Sequence, residues 1–165
     1  MKLEEKLLEL CQQQQLTLAL AESCTGGSVA ARLTQIPGAS KCFAGSLVSY
    51  QDLVKRAVLL VPETVLATYG AVSQETTTAM LNGALSLFSA DVAAAVTGIA
   101  GPTGSTNQTP LGTVFIALGG KGFQPESWKL QLQGTRSQII HDAAEQVLVK
   151  LLEFVTKNGD TKRSL

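Results

Sequence analysis

Two short apolar runs, Leu16–Ala21 (LTLALA) and Val92–Val96 (VAAAV), constrain this chain more than any other feature. Each is shorter than a buried helix and lacks the polar alternation of a strand wet on one face. Each therefore reads as a strand covered on both sides. Such strands need helices above and below, and the flanking segments supply them. Leu3, Leu7, Leu8 and Leu10 recur at helical spacing within residues 2–14. Ser28 to about Gln35 continues in helical style until Pro37-Gly38 stops it. Cys42–Tyr50 (CFAGSLVSY) is a second strand, and Asp52–Leu59 a weaker helix. Pro62 opens a short helix that Gly70 ends. Ser73 caps the next, with Glu75 in its first turn, and that helix runs to about Phe88. Gly112–Leu118 is a strand, Gly119–Gly122 a turn and Ser127–Leu132 the hairpin partner. Thr135 and Gln138 form a capping-box pattern for the last helix. Its buried stripe is Ile139, Ile140, Ala143, Ala144, Val147, Leu148, Leu151 and Leu152. Strands alternating with helices and closing on a hairpin predict an α/β domain with a mixed sheet. Residues 1–165 make one domain, with 156–165 as a frayed tail.

Charge and residue counts exclude several chemistries. Lys plus Arg and Asp plus Glu both number 13, so no broad basic field invites nucleic acid. No 18-residue apolar run offers a membrane span, and Met1–Glu9 lacks a signal-peptide core, so a cytoplasmic protein is expected. The three cysteines, Cys11, Cys24 and Cys42, have no CxxC spacing and read as reduced thiols. With one histidine, His141, no zinc site is visible, and neither metal nor cofactor is expected. A Ser-His-Asp triad would rest on His141 alone. Apolar helix faces at Val65, Leu66 and Leu81, expected to be exposed, would suit a homodimer.

In layered α/β folds ligands collect beyond the carboxyl ends of strands. Three such ends carry unusual loops, after Ala21, Tyr50 and Val96, and with the start of the last helix they make four segments that could carry chemistry. In Ala21–Gly27 (AESCTGG) a strand ends and two glycines lead into a helix, whose first N–H groups point out unpaired. Those donors can hold a phosphate or an oxyanion, and Ser23 beside them can be a nucleophile. Plain capping by Ser23 or Thr25 explains the same residues, and Cys24 is the alternative nucleophile. In Ser49–Lys55, Tyr50 ends a strand and Lys55 enters the next helix. Were it all helix, the two would point about 140° apart, so a joint role needs the corner. Without a usable histidine, a desolvated lysine is the natural base for a serine. A solvated helix lysine is the plain alternative. The Thr97–Gly104 loop (TGIAGPTG) permits close backbone approach through Gly98, Gly101 and Gly104 but is no Walker loop. Arg136, first in the last helix, opposes the helix dipole unless an anion sits there, or is simply exposed.

Together these stretches resemble the C-terminal domain of the CinA (competence-damage-inducible) family, the nicotinamide-nucleotide amidases of the PncC type. The matching runs are AESCTGG at 21–27, IPGAS at 36–40, SY at 49–50 with Lys55, YGAVS at 69–73, VTGIAGPTG at 96–104 and PLGTVFIAL at 110–118. The chain departs from the usual pattern at Asp52 (commonly Asn), at Leu59–Val61, in the Ser105–Thr109 loop and at Thr135 (commonly Asp). Larger members carry a further N-terminal domain, for which this chain has no room, so the likeness is to the stand-alone form. The resemblance implies a three-layer α/β/α sandwich. It also implies hydrolysis of nicotinamide mononucleotide to nicotinic acid mononucleotide and ammonia, a step of pyridine nucleotide salvage. Its catalytic set falls here on Ser23, Tyr50 and Lys55. With this goes an oxyanion site at the main chain of Cys24 and Thr25. Substrate would be bound by Thr25, Gly26, Gly27, Thr97, Gly98, Gly101, Gly104 and Arg136, with the small-molecule nucleotide as the partner. A nucleotide-binding paralogue with little turnover, or a serine amidohydrolase on another substrate, are the alternatives.

Overall fold

The structure, a computed structural model, describes residues 1–159. Their order is α1 (Leu3–Gln13), β1 (Leu18–Glu22), α2 (Ser28–Thr34), a 3-10 turn (Ala39–Lys41), β2 (Phe43–Val48), α3 (Asp52–Ala57), α4 (Glu63–Tyr69), α5 (Gln74–Leu87), β3 (Val92–Gly98), β4 (Thr113–Gly120), β5 (Phe123–Gln131) and α6 (Arg136–Asn158). The sheet runs β2-β1-β3-β4-β5. β2, β1 and β3 are parallel, whereas β4 is antiparallel to both of its neighbours.

Side chains alternate across a strand, and here the alternation sorts them by size. Leu18, Leu20, Val92, Val96, Val114, Ile116 and Leu118 enter a core with α1, α2 and α6. Ala19, Ala21, Ala93, Ala95 and Ala117 face the other way, onto Met80, Leu81 and Ala84 of α5. The alanine face lets α5 lie close to the sheet. The result is the three-layer α/β/α sandwich, with α1, α2 and α6 on one side and α5 on the other. Gly83 permits a second close approach: a Cβ there would land on the Leu59 carbonyl.

Four expectations shift. Leu81, read as an exposed dimer face, is 1% exposed and belongs to the core under α5. Val65 and Leu66 are half-buried against that same core. β5 begins at Phe123, not Ser127, and includes Pro125, which an edge strand tolerates. Phe154 and Val155 are still buried, so α6 stays anchored and runs to Asn158. Residues 156–158 of the expected frayed tail are therefore helical, and 160–165 lie outside the described residues.

Parallel pairing sends the carboxyl ends of β1, β2 and β3 to one edge of the sheet. Antiparallel β4 starts at that edge, with Gly98 opposite Val114. Ser23, Ser49-Tyr50 and the loop after Gly98 are thereby gathered together.

Candidate active site

Glu22 ends β1 fully buried, and a carboxylate there needs donors. The start of α2 provides them. One oxygen accepts from the Thr25 hydroxyl at 2.7 Å, Gly27 N–H at 3.0 Å and Val29 N–H at 3.1 Å. The other accepts from Ala30 N–H and the Ser46 hydroxyl, both at 3.0 Å. The helix start is thus capped by Glu22 rather than by Ser23 or Thr25, and its donors are already taken. Gly27 serves as N-cap at φ 97°, a backbone suited to glycine. Sequence reasoning missed Glu22, although a lone acid closing an all-buried run was its signal.

Ser23 is thereby left free of capping. Its hydroxyl faces Lys55, whose Nζ lies 3.2 Å from Ser23 Oγ, 2.7 Å from the Ser49 carbonyl and 3.2 Å from the Tyr50 carbonyl. Lys55 is 1% exposed, not the solvated helix lysine of the plainer reading. It points inward because α3 starts at the corner after Tyr50, with Gln51 still extended at ψ 151°. Burial pushes the Lys55 pKa below its ordinary value, against the opposing pull of Asp52 and Cys24. Cys24 is the weaker nucleophile: burial raises its thiol to about 12, despite the main-chain N–H groups of Cys24 and Thr25 that lower it. Among the described residues those two N–H groups donate to no oxygen.

Tyr50 meets Lys55 through its carbonyl. Its side chain is exposed, and its hydroxyl instead accepts from Arg136 Nη2 at 2.8 Å. Arg136 Nη1 donates to the Gly101 carbonyl at 2.7 Å. Thr135 and Gln138 form the expected capping box, placing Arg136 at the first position of α6. Arg136 therefore ties the start of α6 to the loops after β2 and β3.

Between these groups lies a cleft of about 680 Å³. Ser23, Cys24, Tyr50, Lys55, Thr97, Gly98, Gly101, Gly104 and Arg136 all line it. Thr25, Gly26 and Gly27 do not; they shape the turn behind Ser23. The far wall is Tyr69–Val72, held by a 3.0 Å bond from the Thr97 hydroxyl to the Ala71 carbonyl. Gly98 is crowded, since a Cβ there would stand 2.8 Å from the Thr113 carbonyl. The charged side chains lining the cleft, Lys55 and Arg136, are both basic. Among the described residues no group of three or more metal-ligating acids, histidines or cysteines assembles, and no helix is long and apolar enough to cross a membrane.

Comparison with known proteins places these residues in context. A family model described as the CinA C-terminal domain matches residues 1–155. A CinA-like protein of Akkermansia muciniphila is 43% identical over 150 residues, covering 91% of this chain and 36% of that protein. A putative competence-damage inducible protein of Halalkalibacterium halodurans is 41% identical, covering 96% and 38%. The chain spans about a third of the length of the curated relatives it matches. The crystal structure of a competence damage-inducible protein A from Klebsiella pneumoniae superposes with a TM-score of 0.90 at 34% identity, covering 93% of this chain and 95% of that one. A competence/damage inducible protein from Agrobacterium tumefaciens gives 0.90 at 33% identity, covering 92% and 93%.

Proposed function

The chain belongs to the CinA C-terminal domain family, and from that premise we propose that it is a serine amidohydrolase acting on nicotinamide mononucleotide. The products are nicotinic acid mononucleotide and ammonia. The observation that carries this reading is the 3.2 Å contact between Lys55 Nζ and Ser23 Oγ inside a buried corner. A neutral amine has two N–H groups and one lone pair. The Ser49 and Tyr50 carbonyls take both N–H groups, which turns the lone pair toward Ser23. Burial favours that neutral form.

The chemistry then runs through this chain's own groups. Lys55 takes the Ser23 proton as Oγ attacks the carboxamide carbon, and the carbonyl electrons move onto oxygen. The N–H group of Cys24, on the cleft wall, receives that oxyanion, and such a donor is typically worth a factor of about 10² to 10³. The tetrahedral carbon collapses, the C–N bond breaks, and the leaving nitrogen takes the proton from Lys55 to depart as ammonia. Water, deprotonated by Lys55, cleaves the resulting ester and restores Ser23.

The cation Arg136 and, among the described residues, no carboxylate on the cleft wall suit an anionic substrate. Because Glu22 occupies the start of α2, the phosphate falls to Arg136, aided by the Thr97–Gly104 loop. Ammonia release from nicotinamide mononucleotide by the native chain, Ser23→Ala and Lys55→Ala is the test. Turnover by the native chain and loss in both variants is expected. Binding without ammonia from the native chain marks a nucleotide-binding module instead. Serine-directed labelling of position 23 without turnover marks a different amide or ester.

A further inference from the structure

Among the described residues Lys55 has one carboxylate within ion-pairing reach, and its geometry is unlike that of a structural partner. Asp52 opens α3, and its Oδ1 lies 3.8 Å from Lys55 Nζ. That is beyond hydrogen-bonding distance. The three directions around Nζ already go to Ser23, Ser49 and Tyr50. The Asp52 side chain is 59% exposed, while that of Lys55 is 1% exposed. Asp52 therefore does not hold Lys55 in place and can influence it only through charge.

The other charged and titratable groups nearby are engaged or silent. Cys24, at about 12, is an uncharged thiol near neutrality. Arg56, next along α3, pairs with Glu63 of α4 at 2.9 Å. Arg136, across the cleft, is held by the Gly101 carbonyl and the Tyr50 hydroxyl. Both oxygens of Glu22, behind the Ser23 turn, accept bonds from the start of α2 and from Ser46.

We infer that Asp52 acts through Lys55 by charge alone: its exposed carboxylate, 3.8 Å from the buried amine and bonded to none of the groups around it, governs how readily that amine gives up its proton. It thus sets how acidic the medium must be before Ser23 loses its base. This inference rests on the reading of Lys55 as that base. A carboxylate in the first turn of α3 also favours the helix dipole, but that contribution would leave the Lys55 titration unmoved. At 3.8 Å a unit charge acting through a water-like medium changes the fraction of free amine about fivefold.

The experiment pairs Asp52→Asn with Glu9→Gln, an exposed acid on α1 outside the cleft, as the control. Lys55 is followed by 13C NMR of labelled lysine, its signal identified by its loss in Lys55→Arg, alongside the pH profile of ammonia release. In Asp52→Asn the titration should move to lower pH. Ammonia release on the acid limb should then rise about fivefold, and the alkaline plateau should fall by less, because a weaker base removes the Ser23 proton more slowly. Glu9→Gln should leave the titration in place. Superimposable Lys55 titrations in the native chain and Asp52→Asn overturn the inference. A shifted titration in a chain that releases no ammonia upholds the influence of Asp52 on Lys55 and removes the substrate assignment instead.

Discussion

Arg136 Nη2 holds the Tyr50 hydroxyl at 2.8 Å across the cleft, while the Tyr50 carbonyl accepts from Lys55 at 3.2 Å. One residue thus touches both the buried amine, through its carbonyl, and the guanidinium, through its phenol. Tyr50→Phe should therefore raise KM by roughly two- to tenfold, the worth of one hydrogen bond, with kcat little changed. Steady-state kinetics separate the two. A collapse of kcat at constant KM would return the phenol to the chemistry.

Arg136→Ala should weaken the nucleotide by about 1.5 to 3 kcal/mol, the usual worth of a hydrogen bond to a charged group. Arg136→Lys should recover only part of it, because an ammonium cannot present the planar fork. Calorimetric titration with nicotinamide mononucleotide and with nicotinamide riboside, which lacks the phosphate, checks this. The Arg136→Ala loss should vanish for the riboside.

Burial lowers the Lys55 pKa, so its amine becomes free at a lower pH than an ordinary lysine's. Ammonia release should rise with pH as Lys55 loses its proton and then level off, because only the neutral amine can accept the Ser23 proton. Lys55→Arg keeps the charge but cannot deprotonate and should be as inactive as Lys55→Ala at every pH. A pH profile of kcat that is flat through the measured Lys55 titration would falsify the role of this amine.

Glu22→Ala should unfold most easily. It strands the Gly27, Val29 and Ala30 N–H groups at the start of α2, and about 3 kcal/mol is the expected loss in urea denaturation. Ser46→Ala, which removes one of the same bonds, should cost about 1 kcal/mol.

Gly83→Ala should destabilise by about 1 to 3 kcal/mol, because the added methyl would meet the Leu59 main chain rather than a side chain that can swing aside. Thermal unfolding reads this, and the cleft, which Gly83 does not line, should keep its affinity per folded molecule.

The fold was legible because LTLALA and VAAAV leave few alternatives to buried strands, and because Thr135 with Gln138 announces a helix start. Leu81 was misplaced because a single leucine in a helix of low amphipathicity does not reveal which side meets the sheet. Pro125 hid the first half of β5, since proline argues against a strand until the strand is known to lie at an edge. In the site, Lys55 became meaningful only through a corner that bends its side chain under the Ser49 and Tyr50 carbonyls, a relation no spacing rule encodes. Glu22 was passed over for a similar reason: its partners lie between three and 24 residues away, and only the fold brings them to one carboxylate.

The self-capped start of α2 has a final consequence. The turn that presents Ser23 takes its shape from an anion within the same chain, so an incoming ligand need not organise it. Affinity is then not drained into ordering the nucleophile's surroundings, and the entropic toll of binding falls instead on the exposed Arg136–Tyr50 rim.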